Sequence, residues 1–182
     1  MKAAGRSYNT VYKKNSIDDR DSYLFRRSPK GILSCRGCGA VYNHARWALE
    51  PTEEIRRNVE IGAGVRRTYC PACQKIRQHY AQGVLKISGV DAEEMSEILR
   101  LLKNEETRAR EKNPLERILA IVNDEDCLKV ETTTEKLAQR FGRCLNKARG
   151  GKVVYKWSHR NKFARVYWEN ARQDSGAGIL KR

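Results

Sequence analysis

Six cysteines carry the most specific chemistry in this sequence, and four of them come as C-x2-C pairs, Cys35-Arg-Gly-Cys38 and Cys70-Pro-Ala-Cys73, with 31 residues between the pairs. Such a pair forms a tight knuckle whose backbone N–H groups point at the sulfurs, and two knuckles complete a tetrahedral shell of four thiolates. Sulfur ligands favour Zn²⁺ over hard cations, and a full shell leaves no open position for an activated water. The expectation is one structural zinc ion. The main rival is a redox pair, as in thioredoxin-like enzymes. Against it, two pairs occur together and neither is read as lying between a strand and a helix. His44 and His79 are near enough to substitute as ligands, but four cysteines already satisfy the ion, so both are read as surface or RNA-facing. Cys127, in an expected strand, and Cys144, on an expected apolar helix face, are read as small core residues.

Nothing else in the sequence has the spacing of a catalytic motif. There is no phosphate-cradling P-loop, no G-x-S-x-G and no His-Glu-x-x-His. Asp124, Glu125 and Asp126 form a run of three carboxylates at an expected helix-to-strand turn, where acids are common without a metal. The chain is therefore expected not to be an enzyme. No apolar stretch suits a signal peptide or a membrane span, which places the protein in the reducing cytoplasm with no membrane partner.

Charge points to a partner. The 182 residues hold 37 basic and 22 acidic side chains, a net +15. By segment, the net is +5 over 1–34, +5 over 35–90, −4 over 91–125 and +9 over 126–182. An excess of this size attracts polyanions, phosphate backbones first.

These groups need elements to position them. Residues 1–28 show no periodicity and are expected to be a disordered basic arm, in which Tyr8, Tyr12, Tyr23 and Phe25 interleave with cations. Residues 29–81 form the zinc ribbon, with structure inside its loop around Tyr42 to Trp47 and Glu53 to Arg57. Residues 82–170 form a two-layer α+β domain, and 171–182 a disordered tail. The expected order of that domain is β-α-β-α-β-β. A strand at 82–89 precedes a helix capped by Asp91 with Met95, Ile98, Leu99 and Leu102 on one stripe. The helical region breaks near 113 and resumes from Pro114 with Leu115, Ile118, Leu119 and Val122. A strand at 127–132, a helix at 134–148 ended by Gly150 and Gly151, and a hairpin at 152–168 follow.

A two-residue turn at Arg160 and Asn161 sets the hairpin register. Val153, Tyr155, Trp157, Ala164, Val166 and Trp168 then share the core face. Val154, Lys156, Phe163, Arg165 and Tyr167 share the other, with Lys156 opposite Arg165. Opposed cations destabilise a sheet unless an anion binds between them, and the flanking aromatics suit base stacking. The candidate nucleic-acid contacts are Arg36, Arg46, Arg66, Arg67, Lys75 and Arg77 on the ribbon, and Lys156, Phe163, Arg165 and Tyr167 on the hairpin.

Over roughly residues 35–170 the order of motifs resembles the family of nonsense-mediated decay protein three, the adaptor for large ribosomal subunit export in eukaryotes. The most specific part is Cys70-Pro-Ala-Cys73-Gln-Lys-Ile-Arg-Gln-His-Tyr80 running into the strand from Gly83 to Gly89. Thr134 to Trp168 is similar to the family's helix after a short strand and its terminal hairpin. Full-length members carry further cysteines and continue into β-barrels and export signals, which this sequence lacks, so it is similar to a short prokaryotic-type member and export is not carried over. The resemblance implies a zinc ribbon, with Cys35, Cys38, Cys70 and Cys73 as ligands, that docks on the large ribosomal subunit or its rRNA. The expected function is thus a non-enzymatic RNA-binding factor in assembly, translation or dormancy. The alternative is a zinc-ribbon protein adaptor, in transcription or another complex, that uses the acidic stretch 91–125.

Overall fold

A computed structural model of the chain describes residues 21–62, 64–124, 127–158 and 162–171. Two sheets organise them. In the first, β1 (Ile32–Cys35), β2 (Val41–Asn43) and β3 (Arg46–Ala48) form an antiparallel meander, and β4 (Val65–Thr68) joins β1 in parallel. The link between β2 and β3 is His44-Ala45, at φ 46° and 63°. Two positive φ values are what a tight hairpin turn matched to strand twist requires. His44 is exposed there, as a turn residue. Helix α1 (Glu53–Glu60) buries no side chain and provides the crossover to β4, which leads into α2 (Pro71–Arg77). The loop between the cysteine pairs thus holds structure at both places the sequence indicates.

The second sheet is built from β5 (Gly83–Ser88), β6 (Ile118–Asp124), β7 (Cys127–Thr132), β8 (Lys152–Ser158) and β9 (Phe163–Glu169), in the order β6-β7-β5-β9-β8. Helices α3 (Ala92–Lys112) and α4 (Glu135–Arg149) both cover one face of it. Asp91 caps α3 by accepting the Glu94 N–H at 2.8 Å, and Thr134 caps α4 by accepting from Leu137 at 3.3 Å. Ile98 and Leu102 of the expected α3 stripe meet Leu137, Phe141 and Leu145 of α4 over Leu85, Ile87, Val130, Val166 and Trp168. Full burial of a side chain the size of Phe141 contributes about 1.5–3 kcal/mol over leaving it in water. Among the described residues no helix is long and apolar enough to cross a membrane.

The domain after the cysteines runs β-α-β-β-α-β-β, one strand more than expected. Residues 115–122 were expected as a second helical segment, and the structure makes Ile118–Asp124 a strand paired antiparallel with β7. So short an apolar run satisfies both periods, and pairing decides between them. Ile118, Ile121 and Val122 are β-branched, and β7 offers an open edge on which they settle. The break near 113 is where the sequence puts it. There α3 ends at Lys112, and the Asn113 side chain accepts the Leu115 N–H at 3.2 Å. Along the polar stretch from 103, α3 stays helical because α4 meets its acids, with Arg140 reaching Glu105 at 2.9 Å.

The hairpin has the expected register at every pair from Val153↔Trp168 to Ser158↔Phe163, while turn residues 159–161 lie outside the described residues. One core-face assignment fails. Trp157 is 54% exposed, because β8 is an edge strand and the ring stacks on Tyr155 at 5.9 Å instead of entering the core.

The basic arm was expected to be loose from 1 to 28. Residues 1–20 lie outside the described residues, as do 172–182 of the expected tail, but 21–28 pack against the body. The Tyr23 ring lies 5.2 Å from that of Tyr80 and its hydroxyl bonds Gln78, while Phe25 meets Tyr42 edge-on at 5.3 Å. Single aromatics docking one at a time leave no periodic signal in a sequence. Asp21 accepts from Lys75 at 2.5 Å, and the Lys75 Nζ also donates to Gln82 Oε1 at 2.8 Å and to the Thr133 carbonyl at 3.0 Å. Lys75 is 2% exposed. Removing one partner of a buried pair leaves the other charge uncompensated, but two acceptors would remain here. Asp21→Ala is therefore expected to lower stability by about 2–3 kcal/mol in urea unfolding, and pairing it with Lys75→Met should recover part of the loss.

Candidate metal centre

Cys35 closes β1, Cys38 stands in the turn after it, Cys70 is the N-cap of α2 and Cys73 lies in that helix's first turn. All four sulfurs lie within 4.8 Å of one another, and Cys38 Sγ is 3.7 Å from Cys70 Sγ. A tetrahedral ion with bonds of about 2.3 Å to sulfur sets its ligands about 3.8 Å apart, so the cluster is sized for such an ion. The chain makes room for it. At Gly37 a side-chain carbon would sit 2.9 Å from Cys73 Sγ, and Gly39 takes φ 74° to turn the strand back.

Contrary to expectation, the second pair does lie between a strand and a helix, bridging β4 and α2. Position alone would therefore admit a redox pair. What opposes it is the approach of Cys35 and Cys38 to the same point. The backbone N–H of Cys70 bonds the Cys35 sulfur at 3.2 Å, and those of Gly37 and Cys73 bond Cys35 and Cys70 at 3.4 Å each. Donors aimed at sulfurs stabilise thiolates. The thiols also perturb each other. Hydrogen-bonded by Cys70, Cys38 is pulled down to about 5. That same bond, with burial, pushes Cys70 up, and burial and the charge on Cys38 push Cys73 up to about 11.

Sequence reasoning missed Arg117. It lies immediately before β6, in the segment expected to be helical, and its Nη1 donates to Cys73 Sγ at 3.3 Å. Leu115 beside it packs on the cysteine cluster, so the second sheet's own connection seals the first module. Four thiolates around a divalent ion carry excess negative charge, which a guanidinium at one sulfur offsets. Cys127 and Cys144 take no part. Both are half-buried rather than core.

The expected nucleic-acid residues divide into three groups. Arg36, Arg46, Arg66, Arg67 and Arg77 are exposed on the cysteine module, with Arg77 lying 4.5 Å over the Tyr69 ring. Lys156, Phe163, Arg165 and Tyr167 come together on the second sheet, on the face opposite the helices, with Lys156 5.4 Å from the Tyr167 ring and Arg165 4.7 Å from that of Phe163. Lys75 is the exception. Its ammonium is buried among three acceptors and is not available to a ligand. His79, at φ 51°, ends the turn after α2 and is exposed. Of the carboxylate run, Asp124 is exposed at the end of β6, and 125 and 126 lie outside the described residues.

Two outcomes follow. Titrating zinc into the metal-free chain at pH 7 should release the protons of both Cys70 and Cys73, read by calorimetry in buffers of different ionisation enthalpy, and retention should fall as pH falls because protons compete for the sulfurs. Arg117→Met should weaken zinc in a chelator competition by about tenfold without moving any ligand. No family model and no curated protein matches this sequence.

Proposed function

We propose that the chain is a non-enzymatic zinc-ribbon RNA-binding factor that associates with the large ribosomal subunit or its rRNA, its four cysteines holding one structural Zn²⁺. In this reading the two knuckles, from Cys35 to Cys38 and from Cys70 to Cys73, are a closed clip that fixes the surface around them. All donors are sulfur, which suits zinc.

One observation carries the reading: Arg36, Arg46, Arg66, Arg67 and Arg77 all stand exposed on this small module, and none of them is ion-paired among the described residues. Arginines left without carboxylates on a rigid support suit phosphate, which a guanidinium meets in bidentate fashion. The resemblance to the export-adaptor family points the same way.

The protein-adaptor alternative draws less support. Its partner surface was the acidic stretch 91–125, whose carboxylates are largely engaged within the chain. Glu94 and Glu97 pair with Arg149, Glu105 with Arg140, and Glu106 accepts the Ile118 N–H at 2.8 Å.

Sucrose-gradient sedimentation of cell extract tests the proposal. The chain is expected in large-subunit fractions at low salt, to leave them as salt rises, and to be lost from them in an Arg66→Gln/Arg67→Gln variant. Absence from those fractions at low salt overturns it. Complexes that survive ribonuclease would favour the adaptor instead.

A further inference from the structure

The uncovered face of the second sheet holds an arrangement that the hairpin alone does not reveal. Its cross-strand rows can be followed over all the strands. One row runs Lys156, Arg165, Val84, Glu131 and Ala120, and the next runs Val154, Tyr167, Lys86, Lys129 and Val122. Lys86 and Lys129 are therefore directly opposed, as Lys156 and Arg165 are. The same face thus bears two like-charge cross-strand pairs, each of which destabilises a sheet by itself.

The two pairs stand in a definite relation. They are two strands apart and offset by two residues, a diagonal of about 12 Å at ordinary strand spacing and rise. Tyr167 flanks the midpoint of that diagonal, opposite Lys86 of β5 and two residues from Arg165 along β9. Three of the four cations have partners among the described residues, two of them aromatic rings and the third a carboxylate in an ion pair between half-buried side chains. Lys156 rests on the Tyr167 ring, Arg165 on Phe163, and Lys129 on Glu131 at 2.5 Å. Lys86 is exposed and has no acidic partner among the described residues.

We infer that this face binds single-stranded RNA along the diagonal, with phosphates at Lys156/Arg165 and at Lys86/Lys129 and a base stacked on Tyr167 between them. The inference rests on the RNA-binding reading above and names both the ligand form and a second phosphate position. An acidic peptide would satisfy the cations but would have no use for aromatic rings set between them. A duplex hides its base faces and is bound by shape across its grooves, which a sheet carrying aromatics does not offer. Unpaired bases stack on such rings with little regard for sequence.

The test is fluorescence anisotropy of a short oligouridine with the full chain, beside an RNA duplex and an oligoglutamate peptide. The single strand should bind best. Tyr167→Ala should weaken it about tenfold, and Tyr167→Phe, which keeps the ring, should bind like the wild type. Lys86→Gln changes an exposed side chain and should reduce the slope of log affinity against log salt by about 0.7. Tighter binding of the duplex or the peptide, no binding of oligouridine, or unchanged affinity in Tyr167→Ala together with an unchanged slope in Lys86→Gln overturns the inference. Unaffected variants with intact large-subunit sedimentation would leave the proposed function standing, with its RNA held elsewhere. Oligouridine binding that depends on Tyr167, without sedimentation, would do the reverse.

Discussion

The Lys75 ammonium sits where water does not reach, and an interior cation must be met by acceptors on every side it presents. Its three come from three parts of the chain: Asp21 from the segment before the first sheet, Gln82 from the entry to β5, and the Thr133 carbonyl from the connection between β7 and α4. None of these can move away without leaving a buried charge or a buried acceptor unsatisfied, which costs more than the bond itself contributes. Lys75 lies two residues after Cys73 on α2. The helix that presents two of the four sulfurs is thereby clamped to the second sheet and to the N-terminal segment through one side chain.

A second tie runs in the opposite direction. Arg117, from the entry to β6, donates to Cys73 Sγ, and Leu115 closes the apolar surround of the cysteines. The cysteine module and the α+β domain are tied at these points, although each has its own sheet and its own cluster of buried side chains. A metal ion bound by the sulfurs stabilises whatever holds the sulfurs in place. Through Lys75 and Arg117 that includes the sheet whose far face carries Lys86 and Tyr167.

Local patterns were legible from the sequence and long-range ones were not. The cysteine spacing foretold their convergence. Alternation over 152–168 foretold a register in which each pair is as expected, because one buried face per strand leaves a single pairing that keeps Val153, Val166 and Trp168 inside. Caps at Asp91 and Thr134 were readable because capping depends on a few adjacent residues. What failed depended on distant partners. Residues 118–124 fit two periods until β7 supplied an edge, and Asp21 looked like part of a solvated arm until Lys75 supplied a reason for its burial. Lys86 drew no reading from the sequence, because its opposition to Lys129 exists only through the pairing of β5 with β7.

The misplacement of Lys75 among the nucleic-acid contacts has a physical lesson that bears on charge as a functional signal. In the sequence it is one cation among several near Cys73, and nothing local distinguishes it from Arg77, which is exposed. The structure sorts them by what surrounds each. Segment charges are sorted in the same way: the net −4 of 91–125 is spent largely against Arg140 and Arg149, which belong to the net +9 of 126–182. After those pairings exposed cations without an acidic partner among the described residues remain on both helices, Arg100, Lys103, Arg143 and Lys147 among them, as well as on the cysteine module and on the bare face of the second sheet. What sets the bare sheet face apart is therefore not a surplus of cations but their placement directly opposite one another, Lys156 across from Arg165 and Lys86 across from Lys129, an arrangement that solubility alone does not require.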